Sequence, residues 1–387
     1  MNQGKYVFAQ IFDIIKMYDF KKYVTLYNGD YRVKTLSCWE HFLVMSFAQL
    51  SYRESLRDIE YCLVSIRHKL YHCGIKSAVS RSTLADANEK RDYRIYADFA
   101  FSLMKAVASL YKGDNVLSKE LNSVIYAFDS TTIDLCLHLF PWATFRTTKS
   151  AVKMHVLLNV AGSIPEFVNI TKGSVQDVTE MDNIGFISGC YYLMDKAYID
   201  FDRLYRIEKS KAFFVTRAKG NMSYEITKQL DTNSNPAILK DELVKLKRWH
   251  TRRGYPAELR RIEYRDAICG KELVFLTNSM ELSAEVIARL YKERWKVELF
   301  FKWIKQNLRI KKFYGNSDNA VKVQLWIAVC DYLIIAILKK SISVDMSLTQ
   351  MLQILSISLF ERIDIKEIFN PSQISETKVI SKQATLF

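Results

Sequence analysis

No proline occurs in the first 140 residues of this 387-residue chain; Pro141 is the first. A stretch that long without the residue that breaks helices favours long helices over a loop-rich fold. Apolar positions recur at helical spacing through Phe8, Ile11, Phe12 and Ile15, then through residues 42–50 and 56–63. Residues 1–118 therefore read as an all-helical domain. Residues 51–63 and 80–94 read as two helices joined through Gly74, with Ser80 or Ser82 capping the second. Arg81, Lys90, Arg91 and Arg94 make that second helix basic. It is a candidate helix-turn-helix-like DNA reader, with Arg81 and Arg91 as contacts. The alternative is a plain helical bundle with a charged surface. His68, His72 and Cys73 imitate part of a zinc site but have no fourth ligand nearby.

From Ser123 the period changes. Residues 124–128 (VIYAF) form an apolar strand ending at Asp129, and residues 152–160 and 164–171 follow around a turn at Gly162, as in a meander. Residues 177–180 (DVTE) carry a capping-box pattern, which assigns Asp177 to a helix start. Residues 191–194 (YYLM) form a short strand that again ends in an acid, Asp195, and residues 212–217 form another. Between 220 and 280 loop residues gather at Gly220 and 233–236, and residues 249–254 (WHTRRG) are basic. Two strands, 259–265 and 272–278, flank a turn at Gly270, so this part reads as a β-rich insertion rather than a separate domain. A helix starting at Ser283 follows, then a loop at 315–317 and one or two apolar helices. Residues 341–387 read as a C-terminal helical segment with a weakly ordered tail after Pro371.

The helix after Ser283 carries most of the chemistry. From Arg289 to Lys312 there are nine Lys or Arg against two acids, Glu293 and Glu298. On one helix Tyr291, Arg294, Glu298 and Lys305 fall within an arc of roughly 60°. One carboxylate is thus flanked by two cations and a phenol, which suits an acid that holds a metal ion beside a phosphate. Asp129 and Asp195 at strand ends supply two more carboxylates, and a third from a facing helix completes a cage for two divalent ions. Hard oxygen ligands beside phosphate favour Mg²⁺, with Mn²⁺ as a substitute. Asp134, five residues beyond Asp129, points to the opposite face. The net charge of +14 and pI near 9.2 point to a polyanionic partner, double-stranded DNA ahead of a membrane surface. Seven scattered Cys without a CxxC pair and a charged N-terminus predict a reduced, cytoplasmic protein without a signal peptide. The most apolar run, 326–338, is too short to span a bilayer and contains Asp331.

These motifs resemble the DDE transposases of the insertion-sequence-four type. Tyr291, Arg294, Glu298 and Lys305 match every position of their Y-x2-R-x3-E-x6-K signature. FDST around Asp129 and MDKAY around Asp195 match the two acidic motifs, and Phe214, Val215, Arg217 and Lys219 match an aromatic-Val-x-Arg-x-Lys pattern. The likeness covers roughly residues 120–340. It implies an α/β fold: a ribonuclease-H-like mixed sheet with flanking helices over 119–219 and 281–340, interrupted by the insertion at 220–280. It implies Asp129, Asp195 and Glu298 as catalytic metal ligands. Tyr291, Arg294 and Lys305 would hold phosphates of the transposon end, with Arg217 and Lys219 as further contacts. Family members cut inverted-repeat ends with water and then use the freed 3′-hydroxyl, and several stack a flipped base on an aromatic of the insertion, a role that falls on Trp249. The process is two-ended, so a homodimer on paired ends is expected. A ribonuclease-H-fold nuclease or resolvase, and an inactive DNA-binding descendant, are the competing readings.

Overall fold

The computed structural model describes residues 4–369 apart from 147, 233–234, 267–269, 309 and 311. The reading of the tail after Pro371 lies outside the described residues. Among the described residues eight α-helices precede the first strand: α1 (Val7–Asp13), α2 (Met17–Leu26), α3 (Cys38–Leu50), α4 (Leu56–Ser65), α5 (Arg67–Leu70), α6 (Arg81–Lys90), α7 (Arg94–Leu110) and α8 (Val116–Glu120). Local chemistry sets several starts. Ser37 and Glu40 form a reciprocal capping box on α3, and the Ser80 hydroxyl accepts the Thr83 N–H at the start of α6. The helix expected over 80–94 is broken. Arg91 leaves helical geometry and α7 begins at Arg94.

The sheet is built from β1 (Ile125–Leu135), β2 (Thr144–Arg146), β3 (Lys149–Asn159), β4 (Ile164–Lys172), β5 (Tyr191–Met194), β6 (Phe213–Arg217), β7 (Tyr224–Gln229), β8 (Ile238–Leu246), β9 (Leu259–Arg265) and β10 (Glu272–Thr277). The interspersed helices are α9 (Phe201–Lys209) and α10 (Trp249–Gly254), and the chain continues through α11 (Ala284–Glu293), α12 (Trp295–Asn307), α13 (Asp318–Ile342), α14 (Leu348–Ser358) and α15 (Ile365–Ile368). β3 pairs antiparallel with β4 and β1, while β1, β5 and β6 run parallel, giving the order β4-β3-β1-β5-β6. This is the mixed α/β sheet of the ribonuclease-H-like fold. The insertion does not stand apart from it. β10 pairs antiparallel with β6, and β9, β8 and β7 follow in turn, so all ten strands form one sheet.

Strand alternation sorts side chains between two layers. On one face Ile125, Ala127, Ile133, Val156, Leu193 and Val215 pack with Val297, Phe300 and Ile304 of α12. On the other, Tyr126, Phe128, Tyr192, Met194 and Phe214 pack with Leu204 and Ile207 of α9 and with Tyr255 after α10. α12 is held between the sheet and α13: Phe300 and Trp303 both meet the Tyr332 ring edge-on, at 5.0 and 4.9 Å. α13 in turn packs against α7, α3 and α6, so one core runs from the N-terminal helices into the sheet. The β3–β4 turn is part of this docking. Gly162 and Ser163 both have positive φ, +73° and +57°, and a Cβ on Gly162 would collide with the Tyr111 ring.

The apolar run at 326–338 belongs to a longer helix than its composition indicated. α13 spans 25 residues and is long and apolar enough to cross a membrane, yet 89% of its most apolar window is buried inside the protein. Ser317 caps it, and the turns before the run carry Asp318, Lys322 and Gln324 between buried Ala320, Val321, Val323 and Leu325, which lowers their average hydropathy while continuing the helix.

Candidate active site

Parallel pairing between β1 and β5 stops at Phe128 and Met194, so the next residues, Asp129 and Asp195, stand side by side at the fork. Both have the parity of Ala127 and Leu193, which puts them on the face covered by α12. Asp129 does not end its strand, as its sequence indicated. β1 continues against β3 to Leu135, and only the parallel partner ends here. The stretch Ser130–Thr132 is polar because both its faces are only half covered, which disguised it as a turn.

The helix expected from Ser283 through Lys305 is two helices. At Arg294 the bonding tightens to three-residue spacing, Arg294 N–H to Tyr291 O and Val297 N–H to Arg294 O, both 3.2 Å. The break turns Arg294 into the site. Its guanidinium lies 3.3 Å from Asp129 Oδ2 and 2.7 Å from Glu298 Oε1. Arg217 donates to Asp195 Oδ1 at 2.7 and 3.2 Å, and the Tyr291 hydroxyl approaches the same oxygen at 3.4 Å. Tyr291 is held by packing on Phe275, with centroids 5.0 Å apart. Lys305 Nζ donates to the Thr132 carbonyl at 2.8 Å. The six side chains of the two aspartates and the Tyr-Arg-Glu-Lys signature, and Arg217 with them, therefore converge where β1, β5 and β6 meet α11 and α12.

The electrostatics separate the two aspartates. Burial pushes Asp129 up to about 6, and the Glu298 and Asp195 charges add to it against the Ser130 N–H and Arg294. Burial also works upward on Asp195, but the Arg217 hydrogen bonds and charge outweigh it and hold that carboxyl below the usual range. Burial likewise raises the Tyr291 phenol against the two nearby arginines. Among the described residues no three His, Cys, Asp or Glu side chains are gathered tightly enough to chelate one ion, and Arg294 stands between Asp129 and Glu298. A hollow of about 510 Å³ opens beside the acids, lined by Asp129, Thr131, Glu298, Lys302, Lys305 and Gln306 among others. Lys302 and Gln306 were not singled out from the sequence; their signal was spacing, four and eight residues beyond Glu298.

The remaining expected contacts lie elsewhere. Lys219 Nζ donates to the Ile199 carbonyl at 3.2 Å, just beyond Asp195. Trp249 is 65% exposed at the start of α10, with the Arg253 guanidinium over its ring. α10 packs against α9, in the layer opposite α12, so the fold does not place Trp249 with the carboxylates. Arg81 is exposed at the start of α6. Arg91 is a correction: its guanidinium donates to the Gly29 and Leu36 carbonyls and ties the 27–36 loop to α6, so it is an internal brace. Lys90 pairs with Asp86 and Arg94 with Asp92, so the basic appearance of this stretch is largely neutralised within it. α6 instead walls a hollow of about 660 Å³ with the 27–36 loop. Asp177 is the second correction. It starts a 3₁₀ turn (Asp177–Asn183) without capping it, and its carboxylate is engaged across the sheet by Ser130 and Lys153.

The family described as transposase DDE domain matches residues 121–334, and a domain of unknown function, DUF4372, matches residues 3–76. Over 296 residues the chain is 33% identical to a putative transposase of Sinorhizobium fredii, covering 76% of this chain and 81% of that protein. A probable transposase for insertion sequence element IS5377 of Geobacillus stearothermophilus is 30% identical over 57% of this chain and 59% of its own length. A putative transposase for insertion sequence element IS4SA of Synechocystis is 27% identical over 67% and 72%. The chain belongs to the DDE transposases, of the insertion-sequence-four kind. Among solved structures, a piggyBac transposase synaptic complex with hairpin DNA matches with a TM-score of 0.44 and 10% identity, over 95% of this chain and 78% of that one.

Proposed function

We propose that this protein is a cut-and-paste transposase that binds the inverted-repeat ends of its element, cleaves them and joins the freed 3′-hydroxyls to target DNA. The observation that carries the reading is the convergence of Asp129, Asp195 and Glu298 on one face, each touched by a cation or phenol of the signature. The donor set fits Mg²⁺, with Mn²⁺ as a substitute: three hard carboxylates, one of them pushed up to about 6 by burial and by the other two acids. Asp129, Asp195 and Glu298 would hold two such ions. Bound there, the metals would supply an activated water or 3′-hydroxyl and stabilisation of the leaving oxygen.

The chain's own side chains account for substrate handling. Arg217, Tyr291, Arg294 and Lys305 are spent on the acids and on a carbonyl in the free protein, and a DNA phosphate offers the two arginines a competing bidentate partner. Lys302 and Lys305 border the hollow where the backbone would lie. The helices of residues 1–118 serve end recognition, Arg81 and Lys219 are additional phosphate contacts, and two copies act on paired ends in the cytoplasm. The net charge of +14 supplies the attraction common to all DNA. The test is Mg²⁺-dependent cleavage of DNA carrying the inverted repeats of the element that encodes the chain, with Glu298→Ala alongside. Cleavage at the ends by wild type alone is expected; tight end binding without cleavage in either Mg²⁺ or Mn²⁺ would replace the proposal with a DNA-binding, non-cutting protein.

A further inference from the structure

The face of the sheet opposite the acids holds a buried polar group that the proposed chemistry does not use. Ser130 lies one residue after Asp129 and so points the other way. There its hydroxyl donates to Asp177 Oδ1 at 2.6 Å. Lys153, which stands in register with Thr132 on β3, meets the same oxygen at 3.1 Å and donates to the Val175 carbonyl at 2.8 Å. His155, in register with Ser130, is fully buried with its Nδ1 3.8 Å from that oxygen, and its Nε2 is bonded to the Thr171 hydroxyl at 2.9 Å. Lys153 is 9% exposed and His155 0%. Burying an ammonium and an imidazole under a sheet is costly, and each must be fixed by partners. Lys153 finds its charge partner in Asp177, His155 Nδ1 makes no hydrogen bond among the described residues, and Asp177 meets the strand at Ser130.

Ser130 also faces the site through its backbone. Its N–H donates to Asp129 Oδ1 at 2.8 Å, which leaves Oδ2 as the oxygen turned toward Arg294, the residue that also holds Glu298. We propose that Asp177, Lys153 and Ser130 form a positioning relay that fixes the orientation of the Asp129 carboxylate from the far face of the sheet. The proposal rests on the reading of Asp129 as a metal ligand. The side chains of the relay touch no substrate; they act through the peptide between Asp129 and Ser130. Lys153 and the Val175 carbonyl anchor Asp177 to β3 and to the segment after β4. Asp177 then holds the Ser130 side chain, and the Ser130 amide selects which carboxylate oxygen is free. Partners of this kind behind a metal ligand typically change affinity or rate 10- to 100-fold.

The experiment titrates the full chain with Mn²⁺ alone, following the free ion by electron paramagnetic resonance, and measures melting temperature and end cleavage beside it. Ser130→Ala and Asp177→Asn should each weaken Mn²⁺ binding about 10-fold and lower kcat with KM for DNA little changed. Ser130→Thr, which keeps the hydroxyl, should restore both. Should Ser130→Ala fail to fold, Asp177→Asn and Ser130→Thr decide the matter on their own. Variants that bind Mn²⁺ and cleave like wild type, differing only in melting temperature, would overturn the relay and leave the transposase reading intact. A wild-type chain that binds no Mn²⁺ would overturn both.

Discussion

Asp331 offers a quantitative test of how the core is built. It lies on α13, 1% exposed, and among the described residues neither carboxylate oxygen has a hydrogen bond of full geometry. Burial pushes it up from 3.8 to about 8, with only the Ser46 hydroxyl working the other way. For an acid raised on folding, the stability it contributes is fully present below the unfolded value and is lost as pH rises toward the folded one. At about 1.4 kcal/mol per pH unit, the loss at pH 7 is on the order of 4 kcal/mol. Asp331→Asn removes the titration and keeps the shape, at a roughly constant penalty of about 1–2 kcal/mol for a buried amide without partners. Urea unfolding of both proteins at pH 5, 7 and 8.5 isolates the term, since every other titrating group is shared. The stability of the Asn variant relative to wild type should rise by about 3–4 kcal/mol between pH 5 and 8.5. A difference that stays flat with pH would show that Asp331 ionises freely in the folded state and refute the reasoning.

Other outcomes follow from the same geometry. Asp129→Asn should abolish end cleavage while leaving end binding in a gel-shift assay unchanged. Gly162→Ala should cost about 2 kcal/mol or more, read by denaturant midpoint, because the residue must keep φ +73° and its new Cβ meets Tyr111. Arg91→Ala should lower the melting temperature through loss of two carbonyl partners, at about 2 kcal/mol, and leave the salt dependence of DNA binding unaltered. Arg81→Ala should do the reverse, leaving stability unchanged and reducing the salt slope of end binding by about one.

What could be read from the sequence depended on how local its cause was. YYLM before Asp195 is a strand buried on both faces, so its apolar run stated its limits correctly. Glu298 and Lys305 share the arc of α12, and the tightened turn at Arg294 brings Tyr291 and Arg294 to the same acids, so the convergence read from one helix survived its division into two. Asp177 sits in a sequence pattern that normally caps a helix, but a lysine on a neighbouring strand and a serine 47 residues earlier outcompete the local amides. Arg91 looked like surface charge because its acceptors are backbone carbonyls 62 and 55 residues away, which carry no side-chain signal. β7 was missed because it is an edge strand, with Glu225 to Gln229 exposed and a bulge against β8, so it has no buried face to betray its period.

The order in which the site is synthesised follows from the place of α13. Asp129 and Asp195 leave the ribosome well before Glu298, and Glu298 precedes the helix that presses α12 onto the sheet. A chain stopped just before Asp318 would contain every acid of the site and still lack the wall that holds the last of them in place. Because α13 rests on α3, α6 and α7, that wall also needs the helices made first. A nascent or truncated product would therefore hold the acids without the packing that gathers them, and the assembled site awaits a polypeptide whose early and late helices have met.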